Sequence, residues 1–87
     1  MFTVYSKPGC PACEHTKSLL EENEADFNVI HLDVGQGRVK YHTYISRDEL
    51  LAQFPGTRTL PVVVLGNTKI GGYPELKAHL RENNEIV

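Results

Sequence analysis

The amino-acid sequence predicts a single α/β domain in which a mixed four-stranded sheet is flanked by three helices. Three observations support this fold class. A strand, a helix and a second strand follow one another within roughly the first 33 residues, which suits a parallel pair of strands joined by a crossover helix. A second helical segment separates this unit from a third strand. A Gly-Asn turn then joins the third and fourth strands as a hairpin. The spatial order of the strands does not follow from these patterns.

The first half of the chain changes its hydrophobic period twice. Phe2–Ser6 is rich in β-branched and aromatic residues and runs into a Pro-Gly turn, which indicates a strand. From Pro11 to about Asn23 the apolar residues recur at helical spacing, while charged residues take the other side. Phe27–Val34 is again a short apolar run and is predicted to be the second strand.

The second half begins with Gly35–Ile45, a segment without a clear period that we interpret as a loop. Ser46 followed by Glu49 is a capping-box pattern and predicts the start of the second helix, which Pro55 and Gly56 end. The remaining predicted elements are a buried strand at Leu60–Leu65, a turn at Gly66 and Asn67, a strand at Thr68–Gly72, and a last helix with Pro74 in its first turn, Leu76 and Leu80 on one face and Asn83 and Asn84 near its end.

Composition excludes several classes of function. The chain has 87 residues, 40% of them hydrophobic and 23% charged, and a net charge of −2. This balance gives no general attraction to nucleic acid or to an anionic membrane. The longest apolar run, Leu60–Leu65, is far too short to span a bilayer, and the first residues lack the features of a signal peptide. We therefore expect a soluble, cytoplasmic monomer.

The only two cysteines, Cys10 and Cys13, lie at the start of the first predicted helix, with Pro11 at its first position. Unpaired N–H groups and the positive end of the helix dipole stabilise a thiolate there, and Lys7 adds positive charge. A thiolate at Cys10 can attack a disulfide. Cys13, on the same helical face, can then attack Cys10 and release the reduced product. The pattern therefore predicts a redox-active dithiol.

A structural disulfide and a zinc site are the competing interpretations of the cysteine pair. A bridge across so short a loop constrains the unfolded chain only weakly. A closed zinc site needs four ligands, often from two such pairs. The four histidines supply no second pair with suitable spacing, and we predict no metal site; they are His15, His31, His42 and His79.

Three motifs resemble the glutaredoxin family. "VYSKPGCPAC" is similar to its active-site segment, "TLPVVV" to its strand after a Thr-Val-Pro sequence, and "IGGYPEL" to its Gly-Gly turn into the last helix. The resemblance covers residues 1–34 and about 46–84. It implies a thioredoxin-like fold, thiol–disulfide oxidoreductase activity, Cys10 as nucleophile, Cys13 as resolving thiol and a cis peptide bond before Pro61.

The resemblance also implies that glutathione is the reductant, with no permanently bound cofactor. Lys7 would meet the glycine carboxylate of glutathione, and the Leu60 backbone would pair with its peptide groups. Thr59 and Pro61 flank this contact. The γ-glutamyl end would be surrounded by Gly72, Tyr73 and Glu75. The clients would be proteins with disulfides, and ribonucleotide reductase is one such candidate.

Three residues depart from the family pattern. Ala12 stands where an aromatic residue is frequent, Pro74 where a hydrogen-bonding residue is common, and Glu75 where Asp is usual. Ala12 and Pro74 keep open a glutaredoxin-like redoxin that thioredoxin reductase reduces directly. A second alternative is an iron–sulfur glutaredoxin that uses Cys10 and external glutathione across a dimer. Pro11 argues against it, since cluster-binding members carry Gly or Ser at that position.

Overall fold

The computed structural model describes residues 1–33 and 43–83. Within these ranges the chain forms five strands and three helices. The elements in chain order are β1 (Phe2–Ser6), α1 (Pro11–Glu22), β2 (Phe27–Leu32), β3 (Thr43–Ile45), α2 (Arg47–Gln53), β4 (Val62–Leu65), β5 (Thr68–Gly71) and α3 (Tyr73–Asn83).

All strands belong to one mixed sheet with the order β3-β2-β1-β4-β5. The β1–β2 and β2–β3 pairs are parallel, whereas β1–β4 and β4–β5 are antiparallel. The mixed α/β class is therefore confirmed, and α1 is the predicted crossover helix between two parallel strands.

The prediction of four strands was wrong, because Thr43–Ile45 forms β3 within the segment that we interpreted as a loop. Three residues are too few to show an alternating pattern. What makes them a strand is pairing with β2, in which Ile30 lies beside Thr43 and Leu32 beside Ile45. The rest of the predicted loop, at positions 35–42, lies outside the described residues.

The main core lies between the sheet and helices α1 and α3. Alternate residues of β1 are buried, as period-two geometry requires. Each fully buried aliphatic side chain contributes about 1.5–3 kcal/mol relative to an exposed one. The core cluster consists of Phe2, Val4, Leu20, Val63, Leu76 and Leu80.

Helix α2 covers the opposite face of the sheet. Tyr5 follows Val4 in β1 and therefore points away from the main core. Its ring packs edge-on against Phe54 at a centroid distance of 5.1 Å, and its hydroxyl donates to Oε1 of Gln53 across 3.3 Å. The predicted cap is present, since the Glu49 N–H donates to Oγ of Ser46. Among the described helices, none has the length and apolar character needed to cross a membrane.

Strand directions bring three helix N-termini to one edge of the sheet. Strands β1, β2 and β3 run parallel, so α1 and α2 both begin near this edge. Strand β4 runs the other way and starts here, where Val62 pairs with Tyr5. Gly71 at the end of β5 lies beside Val63, so α3 also begins at this edge. Positive helix ends thus converge on the residues before β4.

Candidate active site

The two cysteines occupy the N-terminus of α1 and form a disulfide, with Cα atoms 5.2 Å apart. Cys10 is the N-cap residue in an extended conformation, and Pro11 takes the first helical position as predicted. The Cys13 N–H donates a hydrogen bond to Sγ of Cys10 across 3.2 Å. A serine or aspartate oxygen usually accepts this bond at a helix start, and here a sulfur does so.

Exposure distinguishes the two sulfur-bearing residues. Cys10 retains 7% of its accessible surface, whereas Cys13 retains none. Only Cys10 can therefore be approached from solvent. In the reduced protein, the Cys13 N–H and the helix dipole favour a thiolate at Cys10, which is the species that attacks a disulfide. The arrangement can carry out reversible dithiol–disulfide exchange.

The segment before β4 lies directly beside the cysteines. The Leu60–Pro61 peptide bond is cis, as the resemblance implies. The Leu60 carbonyl oxygen lies 3.6 Å from Sγ of Cys10. Pro61 is buried, while Thr59 is exposed and Leu60 is half-buried. An extended peptide that reaches Cys10 therefore has backbone of the Thr59–Leu60 segment next to it.

A cationic cleft of about 200 Å³ lies on one side of this segment. Lys7 lines it together with Arg47 at the start of α2 and Arg58 before β4. Sequence reasoning missed both arginines, because each is an isolated basic residue that no motif marks. Arg47 comes near Lys7 because α2 begins at the same end of the sheet as α1, and Arg58 because it lies in the segment before β4. Three cations in one cleft favour an anionic group.

A larger groove of about 720 Å³ lies on the other side. It brings together six of the seven predicted glutathione-binding residues, and Lys7 lines the cationic cleft instead; the six are Thr59, Leu60, Pro61, Gly72, Tyr73 and Glu75. Ala12 also lines this groove, at the position where the family often has an aromatic ring. Glu75 already has a partner, since its Oε1 accepts the Gly72 N–H at 2.7 Å.

The histidines considered as metal ligands are dispersed in the described parts of the chain. His15 on α1 packs against Tyr73 with ring centroids 6.0 Å apart, and His31 packs against Tyr44. His79 contacts Phe2 in the core region. His42 lies outside the described residues. Within residues 1–33 and 43–83, no three His, Cys, Asp or Glu side chains form a group that could hold a metal.

One charged pair lies beside the cysteines on α1. The Lys17 ammonium binds the Glu14 carboxylate at 2.6 Å. This hydrogen bond and the Lys17 charge lower the pKa of Glu14 below its ordinary value. The carboxylate next to Cys13 is therefore compensated by a neighbouring cation.

A dithiol at the first helix of a mixed sheet, with helices on both faces, is the architecture of thioredoxin-like redox domains. The family model for glutaredoxin matches residues 2–70, and the chain belongs to the glutaredoxin family. Members of this family are thiol–disulfide oxidoreductases.

Two relatives and one solved structure illustrate the similarity. Monothiol glutaredoxin-7 of Saccharomyces cerevisiae is 34% identical over 97% of this chain and 39% of its own length. A glutaredoxin of Ricinus communis is 36% identical over 79% of this chain and 62% of its own length. The chain thus spans less than two thirds of each. The crystal structure of the buckwheat glutaredoxin–glutathione complex superimposes with a TM-score of 0.69 at 27% identity, over 98% of this chain and 72% of that one.

Proposed function

We propose that this chain is a glutathione-dependent thiol–disulfide oxidoreductase that reduces protein disulfides and glutathione mixed disulfides. The observation that carries the proposal is the Cys10–Cys13 disulfide at the start of α1, with Cys10 as its more exposed residue. Such a pair can accept and donate two electrons without a bound cofactor.

The exchange proceeds in two displacements. The Cys10 thiolate attacks one sulfur of the substrate disulfide, the substrate S–S bond breaks, and one substrate sulfur leaves as a thiolate. The Cys13 thiol then loses its proton and attacks Sγ of Cys10, so that the mixed disulfide breaks and the second substrate thiolate leaves. Both substrate sulfurs are reduced and the protein dithiol is oxidised. Two glutathione molecules reverse the change and become glutathione disulfide.

Glutathione as the reductant is supported by the charges that flank Cys10. Glutathione is a short peptide with a carboxylate at its glycine end and both an ammonium and a carboxylate at its γ-glutamyl end. The cationic cleft with Lys7, Arg47 and Arg58 suits the glycine carboxylate. Leu60 offers backbone groups next to the sulfur. The buckwheat relative in a glutathione complex adds support from a similar fold.

The test is NADPH oxidation with a small disulfide substrate in two separate couplings. One contains glutathione and glutathione reductase, and the other contains thioredoxin reductase alone. We expect turnover only in the first coupling. Turnover only in the second would refute glutathione dependence and establish a redoxin that thioredoxin reductase reduces. The protein substrate to add next to this assay is ribonucleotide reductase that one turnover has left in its disulfide form.

Iron–sulfur binding is the second candidate, because a relative with 34% identity is named a monothiol glutaredoxin. Such a site would use Cys10 alone, with glutathione as an external ligand. This chain has a second cysteine and Pro11 at the helix start. Anaerobic reconstitution with iron, sulfide and glutathione distinguishes the two functions. A stable brown dimer with cluster absorption would support cluster binding, whereas a colourless monomer would support the dithiol enzyme.

A further inference from the structure

One buried hydroxyl group at the end of β1 has no partner. Ser6, the last residue of this strand, retains only 1% of its accessible surface. Within residues 1–33 and 43–83, its Oγ atom has no hydrogen-bond partner. A buried hydroxyl without a hydrogen bond destabilises the protein that contains it, so such groups are rare in native proteins. The two displacements described above make no use of this group.

The fold places Ser6 below the first turn of α1. Alternate residues of β1 point toward the main core, so Ser6 points to the same face as Val4. Helix α1 packs on this face and runs back along β1, because it is the crossover between two parallel strands. From its N-terminus onward, the buried residues of α1 are Cys13, Thr16 and Leu20. The first of them therefore lies over the end of β1, where Ser6 is.

The other polar groups in this layer of α1 are already bonded. The Thr16 hydroxyl donates to a backbone carbonyl of its own helix at 2.8 Å. The Cys13 N–H donates to Sγ of Cys10. The group that remains opposite Ser6 is Sγ of Cys13. In the disulfide this atom is bonded to Cys10, and a neutral sulfur is only a weak acceptor.

The neighbouring strand directs its polar side chain elsewhere. His31 of β2 lies beside Ser6 in the parallel pair. Its ring packs against Tyr44 of β3, with ring centroids 5.7 Å apart. The imidazole therefore makes its contact on the β3 side, and the first turn of α1 is the surface that faces the Ser6 hydroxyl.

Reduction changes the hydrogen-bonding capacity of Sγ of Cys13. As a thiol, it carries a proton that it can donate to Oγ of Ser6. As a thiolate, it accepts the proton of the Ser6 hydroxyl, which can rotate between the two roles. A hydrogen bond to a thiolate is charge-assisted and therefore stronger than one to a neutral sulfur. The dithiol protein can thus satisfy a group that the disulfide protein leaves unpaired.

We propose that Ser6 is a positioning residue for the resolving cysteine: its hydroxyl has no partner in the disulfide protein and bonds Sγ of Cys13 in the dithiol protein. The proposal rests on the dithiol exchange of the proposed function and is independent of glutathione. In the second displacement the Cys10–Cys13 bond forms, the bond from Cys10 to the substrate sulfur breaks, and the Cys13 proton ends on the departing substrate thiolate. Until then, Ser6 holds the Cys13 sulfur and stabilises the dithiol state.

The experiment measures the stability of both redox forms of Ser6→Ala by urea denaturation. In the disulfide protein this change removes an unpaired polar group, so the urea midpoint should not fall. In the dithiol protein, kept in excess dithiothreitol, it removes a hydrogen bond, so the midpoint should fall below that of the wild type.

The dithiol–disulfide equilibrium provides a second readout. Wild type and variant are equilibrated in mixtures of oxidised and reduced dithiothreitol, and free thiols are then alkylated and counted by mass spectrometry. Ser6→Ala should shift the equilibrium about tenfold toward the disulfide, which corresponds to a reduction potential about 30 mV more negative.

Thr16→Val is the matched control, because it removes a buried hydroxyl that is hydrogen-bonded within α1. It should lower the urea midpoints of both redox forms by the same amount and leave the dithiol–disulfide equilibrium unchanged. A shift of this equilibrium as large as that of Ser6→Ala would overturn the proposal.

The wild-type protein separates this proposal from the function on which it rests. If Ser6→Ala changes both urea midpoints equally and leaves the equilibrium unchanged, Ser6 has a structural role only, and the inference is wrong while the dithiol chemistry stands. If the wild-type protein does not convert between dithiol and disulfide in these mixtures, the proposed exchange is wrong and this inference falls with it.

Discussion

The backbone N–H of Cys13 points at the sulfur of Cys10, 3.2 Å away. The peptide group of the buried cysteine thus stabilises negative charge on the more exposed one. This relationship assigns different roles to two chemically identical side chains, because stabilisation and access both favour Cys10 as the attacking thiolate.

The first prediction concerns these roles. Cys10→Ser should abolish all disulfide exchange, because the serine hydroxyl cannot form the mixed disulfide. Cys13→Ser should retain turnover of glutathione mixed disulfides, because a second glutathione can attack the glutathione sulfur bound to Cys10, form glutathione disulfide and release the Cys10 thiolate. It should lose reduction of protein disulfides. Parallel assays with a glutathionylated peptide and with a disulfide-containing protein measure the two activities. Full activity of Cys10→Ser, or loss of both activities in Cys13→Ser, would contradict the assignment.

The second prediction concerns Arg47 in the cationic cleft, a residue that was not predicted from the sequence to belong to the site. Arg47→Ala should raise the KM for glutathione by roughly three- to tenfold and leave kcat within about twofold, because a binding contact made equally in the ground and transition states is removed. The effect should shrink at high salt. Steady-state kinetics at two ionic strengths provide the measurement.

The matched control is Arg81→Ala, which removes an exposed arginine from the last turn of α3. It should leave the KM for glutathione unchanged. An equal rise in both variants would show that overall charge matters and that the cleft does not.

Two neighbouring leucines of α1 test the packing of the core. Leu20 is fully buried between the helix and the sheet, whereas Leu19 is only partly buried at the margin. Leu20→Ala should lower the free energy of unfolding by about 2–5 kcal/mol, since it removes contacts and leaves a cavity. Leu19→Ala should lower it by about 1 kcal/mol. Urea denaturation measures both free energies of unfolding. Equal decreases in the two variants would refute the conclusion that Leu20 is in the core and Leu19 at its margin.

The Glu14–Lys17 pair gives a pH-dependent prediction. Lys17 lowers the pKa of Glu14 in the folded protein, so the folded state binds this proton less tightly than the unfolded state. The pair therefore stabilises the folded state fully at a pH above the ordinary pKa of a glutamate. This contribution is lost as the pH falls through the lowered pKa of Glu14. Lys17→Gln should raise the pKa of Glu14 toward its ordinary value, as followed by the NMR signal of its carboxyl carbon.

Lys77→Gln is the control for this titration, because Lys77 is an exposed lysine on α3. It should leave the Glu14 titration unchanged. A pKa of Glu14 that does not respond to Lys17→Gln would show that the pair does not persist in solution.

Elements with a strong local period could be predicted from the sequence. The apolar spacing of α1 and the cap at Ser46 are properties of short segments, and the structure has both helices. Strand β3 could not be predicted, because its three residues become a strand only by pairing with β2. The spatial order of the strands could not be predicted either, since it depends on contacts between distant segments.

The residues of the candidate site also fall into those that the sequence could predict and those that it could not. The dithiol and the residues before β4 lie in motifs that the sequence displays. Arg47 reaches the cleft only because α2 begins at the same sheet edge as α1. The folded-back Glu75 also escaped prediction: its spacing from Gly72 is that of a capping box, but glycine replaces the Ser or Thr that marks the motif.

The central position of β1 has a consequence for biosynthesis. Strand β1 is synthesised before the other described strands, yet one of its two partners, β4, follows much later: Phe2 pairs with Leu65, 63 residues further along the chain. Leu76 and Leu80 of α3, which complete the core, follow later still. A nascent chain that ends before β4 leaves one edge of β1 unpaired and part of its apolar face uncovered. Complete folding therefore has to wait until α3 has been synthesised, and until then the unpaired edge and the exposed apolar residues favour aggregation.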